Sequence, residues 1–280
     1  MKILIACQTK RFIFKEVAHV KRVLYCNEWY AFDDRQDQLT NNLANSNTPG
    51  FKADQSVTRS FPTMLMQANN AYQSPNRQVV GELPTAVYLQ EHLMNAQQGD
   101  IQQTGQATDL ALVQGGATDG AAVFFAVETE NGIRYTRNGN FQVDLNGNLV
   151  TASGGRVLGT DGNPLQVGNE SFTIQPSGIV VVDGEEIGSL EVVVADDVND
   201  LIKEGNGYVR NDQTDMQSAY NVDTVTFSVQ QYALENSNVD VTSTMNEMLQ
   251  AYRLFEANQK VIQAYDQSLE KTVNEVGRIN

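Results

Sequence analysis

Cysteine and histidine, which readily serve as nucleophiles, bases or metal ligands, number four, and three of them stand in the first thirty residues. Cys7 and Cys26 are the two cysteines, with His19 between them. Two thiols could pair, or bind a metal together with His19. Their spacing lacks the short steps of a zinc site, so plain thiols are the reading. Leu4-Ile5-Ala6-Cys7 has the letters of a lipoprotein cleavage box. The apolar run before Cys7 falls short of the roughly 7 to 15 residues of a signal-peptide core, which argues against lipidation. His92 is isolated, without a ligand-spaced neighbour. There is no Gly-x-Ser-x-Gly, no His-Glu-x-x-His and no phosphate-cradling loop ending in Lys-Ser or Lys-Thr. Residues 99–235 contain neither His nor Cys, so the usual nucleophile and base pair cannot be assembled there. Carboxylates remain, as in Glu185-Glu186 and Asp196-Asp197. Two carboxylates suffice for glycoside hydrolysis, but neighbours on a strand point to opposite faces, so solvated charge is the reading. Asp144-Leu145-Asn146-Gly147-Asn148 opens like a calcium loop, lacks the distal bidentate acid and reads better as a hairpin turn. No catalytic residue, metal or cofactor is expected.

Charge narrows the partners. The formal charge of −15 argues against nucleic acid, whose phosphates such a surface would repel. It is unevenly spread. Residues 1–30 hold six Lys or Arg against two acids, a net +4, and residues 31–280 hold 13 against 32, a net −19. The only tryptophan, Trp29, also falls in the first thirty residues. No apolar run approaches the ~18 residues needed to cross a bilayer, so no transmembrane segment is expected and the chain reads as soluble or peripheral.

Positioning falls to the two ends and a strand-rich middle. Alternating steps of four and three from Val241 reach Met245, Met248, Tyr252, Phe255, Gln259, Ile262, Asp266, Leu269, Val273 and Val276, and nine of these eleven positions are apolar. Such a stripe belongs to a long helix packed on another helix. At about 1.5 Å per residue, a helix from Val241 to Ile279 would be roughly 58 Å long and would need a helical partner. The same steps through Tyr25, Trp29, Phe32, Gln36, Leu39 and Leu43 mark a candidate partner, stopped by Pro49 and the turn that Gly50 permits. Asn41, Asn42, Asn45 and Asn47 crowd the end of that helix, where amides cap backbone groups or reach other chains. Solvated amides at an ordinary helix end are the alternative.

Residues 53–100 are polar and low in glycine, and Pro75 and Pro84 favour an extended connector over 61–98. From Gly99 the pattern becomes β. Asn131-Gly132, Asn138-Gly139, Asn146-Gly147, Ser153-Gly154 and Asp161-Gly162 are turn dipeptides. Short strands at that spacing predict an antiparallel meander or small barrel over 99–235.

Arg35 to Lys52, with Leu39, Asn41, Asn42, Leu43, Asn45, Asn47, Thr48, Pro49, Gly50 and Phe51, resembles the N-terminal signature of the flagellar hook and basal-body rod proteins. Asn238-Val239-Asp240-Val241 and Ala251 to Gln263, which include Tyr252, Phe255, Asn258 and Ile262, resemble the family's other end. Phe125 to Thr129 and Ile133 to Phe141 resemble its middle domain. Two stretches depart from it. Residues 115–123 replace a shorter link, and residues 1–34 do not match the small-residue helix that relatives carry. Either the chain has diverged there or a start-site or reading-frame error is present, and the intact mass would decide. Phe61 with Leu65, in Phe61-Pro62-Thr63-Met64-Leu65-Met66, resembles the pattern by which early flagellar substrates engage the export gate. Packing onto the helices is the alternative.

The resemblance implies an α+β fold. Its long N- and C-terminal helices (1–60 and 236–280) pair as a coiled coil, with a connector (61–98) and a central all-β domain (99–235). It also implies a structural, non-enzymatic rod subunit, exported by the flagellar type III apparatus and polymerising into a hollow torque-transmitting tube. Its partners would be copies of itself, other rod and hook subunits and the export machinery. The alternative is a β-rich module on a helical stalk that binds or hydrolyses cell-wall glycan. Such a module would need a cleft lined by aromatic residues.

Overall fold

A computed structural model describes residues 32–60, 64–68, 78–83, 87–116, 120–168, 171–212, 216–222 and 225–276. Cys7, His19, Tyr25, Cys26, Trp29 and Phe61 lie outside them. The described residues form two α-helices, α1 over 32–44 and α2 (Val241–Val276), and twenty strands. The strands begin with β1 (Asp54–Ser60), β2 (Met64–Ala68), β3 (Gln78–Leu83), β4 (Val87–Met94), β5 (Ile101–Gln103), β6 (Leu110–Gly115) and β7 (Ala122–Thr129). Next come β8 (Gly132–Thr136), β9 (Phe141–Val143), β10 (Leu149–Thr151), β11 (Arg156–Val157), β12 (Phe172–Ile174), β13 (Ile179–Val182) and β14 (Glu185–Ser189). The last six are β15 (Val192–Ala195), β16 (Leu201–Lys203), β17 (Tyr208–Asn211), β18 (Gln217–Ser218), β19 (Thr226–Gln231) and β20 (Ala233–Glu235). The chain divides into two compact units. One comprises Met1–Thr40, Ser56–Glu91 and Thr242–Asn280, and the other Asn41–Gln55 and His92–Val241.

The second unit is built around β7. Its apolar run leaves no polar side to face water, so both faces must be covered. Along one edge β8 pairs with it, Phe125 opposite Thr136. Along the other, β15 pairs with its first half and β11 with its second, Ala122 opposite Ala195 and Val127 opposite Val157. Val123 and Phe125 enter a core with Leu110, Leu112, Phe141 and Leu149, where the Phe125 and Phe141 rings meet edge to face at 5.2 Å. Ala122, Phe124 and Ala126 enter another core with Tyr135, Val193, Leu201 and Val209. Each buried Phe or Leu contributes about 1.5–3 kcal/mol relative to exposure. Further antiparallel pairings join β6 to β19 and β5 to β20, and β12, β13 and β14 form a meander. The two-residue turn Asp183-Gly184 closes β13 onto β14 with φ of 53° and 88°, both positive as a type I′ hairpin requires.

In the first unit, described residues of α1 and α2 meet through aromatic and polar side chains. Phe32 stacks on Phe255 at 4.5 Å and meets Tyr252 edge-on at 6.0 Å, and the Gln36 amide donates to the Tyr252 hydroxyl at 3.0 Å. Arg35 and Glu247 pair at 3.5 Å with both side chains about half exposed, which contributes little.

These elements correct the α+β expectation of two long terminal helices paired as a coiled coil around a single meander or barrel. Strands dominate, and α1 is short among the described residues. Along α2, Met245, Leu249, Tyr252, Leu254 and Val261 are all roughly half exposed or more. The physical reason is that a four-three stripe records which face of a helix is apolar. It carries no information on how far a partner helix extends beside it. Strands also begin at Asp54, where the period-2 signal is too weak to read, and the described strands fall into six sheets, four of them within 99–235.

Candidate functional site

The chemistry-bearing groups of the second unit converge on one carboxylate. Glu235 ends β20 on the same side as Ala233, and both are buried. Its Oε1 accepts from Lys52 Nζ at 2.5 Å and from the Gly99 amide at 2.9 Å, and its Oε2 accepts from Arg137 Nε at 2.5 Å. Lys52 also donates to the Gln97 carbonyl at 2.7 Å, and the Arg137 guanidinium to the carbonyls of Val123 and Leu112. Every ionic group here is thus hydrogen-bonded, as buried charge must be.

Two cations share one anion, and protonation follows. Burial would raise the Glu235 carboxyl, but Arg137 and Lys52 overcome it and hold it below the usual carboxylate range. Burial pushes Lys52 down to about 8; Arg137 adds to the shift and Glu235 opposes it.

The carboxylate secures the segment that follows α1. The Gly50 amide donates to the Glu235 carbonyl at 2.7 Å. Gly50 has φ of 69° and lies against the Arg137 and Asn138 backbone, where a Cβ would collide. Asn238 extends the clasp. Its Oδ1 accepts from the Ala53 amide at 2.7 Å, and its Nδ2 donates to the carbonyls of Asn95 and Gln97 at 3.1 and 2.9 Å. Asn42 exchanges two bonds with the Asp54 backbone at 2.8 and 3.0 Å, imitating a strand partner. Lys203, lowered by burial and supported by Asp54, donates to Asp54 Oδ1 and the Lys52 carbonyl at 2.6 Å each, with its ammonium 4.6 Å from the centre of the Phe51 ring.

A cleft of about 810 Å³ opens beside this segment, lined by Asn45, Phe51, Lys203, Asn206 and Tyr208 among others. Within it the Tyr208 hydroxyl lies 2.6 Å from Thr151 Oγ1 and 2.6 Å from Ser153 Oγ. These hydroxyls bond to one another and to backbone, so the arrangement positions chain segments rather than activating a nucleophile. Tyr135, Phe141, Phe172 and Tyr208, the aromatic residues a sugar cleft would present, are all buried. Among the described residues no group of three or more His, Cys, Asp or Glu could hold a metal ion, and no helix is long and apolar enough to cross a membrane.

The signature residues fall into two groups. Asn42, Thr48, Gly50, Phe51 and Asn238 come together in the clasp; Asn41 and Asn45 bond to each other at its rim, Asn45 Nδ2 to Asn41 Oδ1 at 2.7 Å, and Thr48 donates to Asn45 at 3.2 Å. Leu39 is buried, Leu43, Pro49 and Val239 are half-buried, and Asn47 is exposed. On α2, Met248 and Phe255 are half-buried, while Met245, Tyr252 and Asn258 are exposed. The backbones of Ile262 and Leu65 lie in α2 and β2, and Phe61 is outside the described residues. Sequence reasoning missed Glu235, Lys52 and Arg137 as a cluster. The legible signal was an acid two residues after Ala233, on the inward side of a strand.

Three family descriptions match stretches of the chain. The description "Flagella basal body rod protein" matches residues 30–52, "Flagellar hook protein FlgE/F/G D1 domain" matches 119–182, and "Flagellar basal body rod FlgEFG protein C-terminal" matches 230–275. The first and last of these contain Lys52 and Glu235. The flagellar hook-basal body complex protein FlhO of Bacillus subtilis is 42% identical over 255 residues, 88% of this chain and 94% of the relative. The flagellar basal-body rod protein FlgG of the same organism is 31% identical over 258 residues, 87% and 94% of the two chains. FlgF of Caulobacter vibrioides, also a flagellar basal-body rod protein, is 27% identical over 248 residues, 87% and 92%. The chain belongs to the flagellar hook and basal-body rod protein family, as a structural component of the flagellar basal body.

Proposed function

We propose that this chain is a subunit of the flagellar rod that is exported by the flagellar type III apparatus and polymerises outside the cytoplasmic membrane into a hollow tube that transmits torque. One observation carries the reading. Leu254 and Val261 of α2, seven residues apart and so on one side of the helix, stand 66% and 54% exposed among the described residues, an apolar stripe that a neighbouring subunit would cover. Head-to-tail contacts that do not close build a filament of this kind. The signature residues serve assembly by holding the segment after α1 to the β unit, so that each copy offers the same surface. Phe61 with Leu65 is the candidate export-gate contact.

Deletion of the gene, followed by a motility assay and electron microscopy of basal bodies, tests the reading. The expected result is loss of swimming with truncated or absent rods, restored by the intact gene. Normal swimming with complete rods would refute it.

A further inference from the structure

Among the described residues, Tyr232 is the one aromatic residue held in a left-handed conformation, with φ of 65°. That region is free to glycine and tolerable for asparagine, and it is strained for a bulky side chain. The backbone is fixed there from several sides. The Tyr232 amide donates to the Asp109 carbonyl at 2.9 Å, and its own carbonyl accepts from the Thr104 and Gly105 amides at 2.8 and 3.3 Å. Next to it, Gln231 Nε2 donates to the Ala107 and Phe172 carbonyls at 2.7 and 3.0 Å. None of these bonds requires a tyrosine, and the residue stands 45% exposed. These bonds therefore account for the backbone geometry and do not call for an exposed tyrosine ring.

The surroundings supply a reason for the side chain. Tyr232 lies where β19 passes into β20, and β20 pairs with β5, Ala233 opposite Gln103. Residues 226–234 and 101–108 contain no Lys, Arg, Asp or Glu, although the whole chain carries a formal charge of −15. Gln102, Gln103, Thr104, Gly105 and Gln106 are exposed around the ring. Two copies of so acidic a chain repel wherever their charged faces meet, and an uncharged face is where they can approach. A basic partner would gain nothing there. Tyrosine combines a large apolar area with a hydroxyl that finds a partner, which makes it a common anchor of contacts between proteins.

We infer that Tyr232 and the uncharged β5–β20 face form a contact surface for a second copy of this chain, with the tyrosine ring as its anchor. The inference rests on the polymer reading above and adds the face through which copies meet. The test compares the purified full chain with Tyr232→Asn and Tyr232→Trp in pelleting assays over a concentration series, with melting of each unassembled chain. Tyr232→Asn is expected to raise the concentration needed for pelleting at least tenfold while its melting midpoint stays level or rises by roughly 1–4 °C. Tyr232→Trp should pellet like the unsubstituted chain. Pelleting of Tyr232→Asn at the unsubstituted concentration would overturn the contact. So would a lowered midpoint, which would make the ring a folding residue. Loss of co-pelleting with another rod subunit alone, with self-association intact, would overturn the choice of a second copy. If the unsubstituted chain never pellets under any condition, the polymer reading falls and this contact falls with it.

Discussion

The Glu235 cluster and the exposed apolar side chains of α2 invert the usual rule of where charge and apolar surface belong. In the β unit, three charged side chains are each no more than 4% exposed and bound by protein atoms. On the helix, leucines and a valine are more than half exposed. The difference separates what the chain completes within itself from what it leaves unfinished. Buried ions are tolerable only when every partner is supplied by the same fold. Exposed apolar side chains cost the monomer little, and they gain value when another surface covers them.

Removal of the shared anion should produce the largest effect. Glu235→Ala leaves Lys52 and Arg137 as two uncompensated buried cations and is expected to cost about 3–5 kcal/mol in urea unfolding of the purified chain. A loss under about 1 kcal/mol would mean that the cluster does not hold the unit together.

Lys52→Met sharpens the contrast, because it leaves a balanced Arg137–Glu235 pair and an apolar stem in place of the second cation. The expected change is within about 1 kcal/mol near neutral pH. The pH dependence should differ more clearly. Lys52 has a folded value of about 8, below the ~10.4 of an unfolded lysine. Between those values the unfolded chain binds more protons, so Lys52 makes stability rise with pH from about 8 to 10.4 and withdraws that contribution as pH falls through 8. Stability curves of the two proteins should diverge across that window. Parallel curves would remove Lys52 as the titrating group.

Leu254→Ser on α2 should have the smallest effect on the lone chain, within about 0.5 kcal/mol, since the leucine is 66% exposed. Swimming of cells carrying it should nonetheless fail. A large loss of stability would show that the helix is already covered, and the contrast between the two regions would collapse.

The sequence was most informative where a local rule decides the outcome. Asn131-Gly132, Asn146-Gly147 and Asp161-Gly162 each place a glycine at positive φ. Asp183-Gly184, which the turn reading passed over, closes a two-residue hairpin by the same rule. Asn138-Gly139 has the same letters for another reason: Gly139 lies against the Leu110 carbonyl, where a side chain would collide, and its φ is not positive. Dipeptide statistics cannot separate a needed dihedral from a needed gap. The asparagines at the end of α1 were visible as a group, whereas the bonds of Asn42 to Asp54 and of Asn238 to Ala53 depend on tertiary placement. Lys52 and Glu235 are 183 residues apart, and nothing local in either stretch announces the other. The helical stripe misled because it was asked for a partner's length as well as its own face.

Because the clasp draws Lys52 from one end of the unit and Glu235 with Asn238 from the other, the two stretches act as a key and its lock cut from a single blank. A chimera that exchanges residues 41–55 with those of a relative, and leaves 233–238 untouched, pairs halves that were shaped separately. Transplants within this family should therefore move both stretches together.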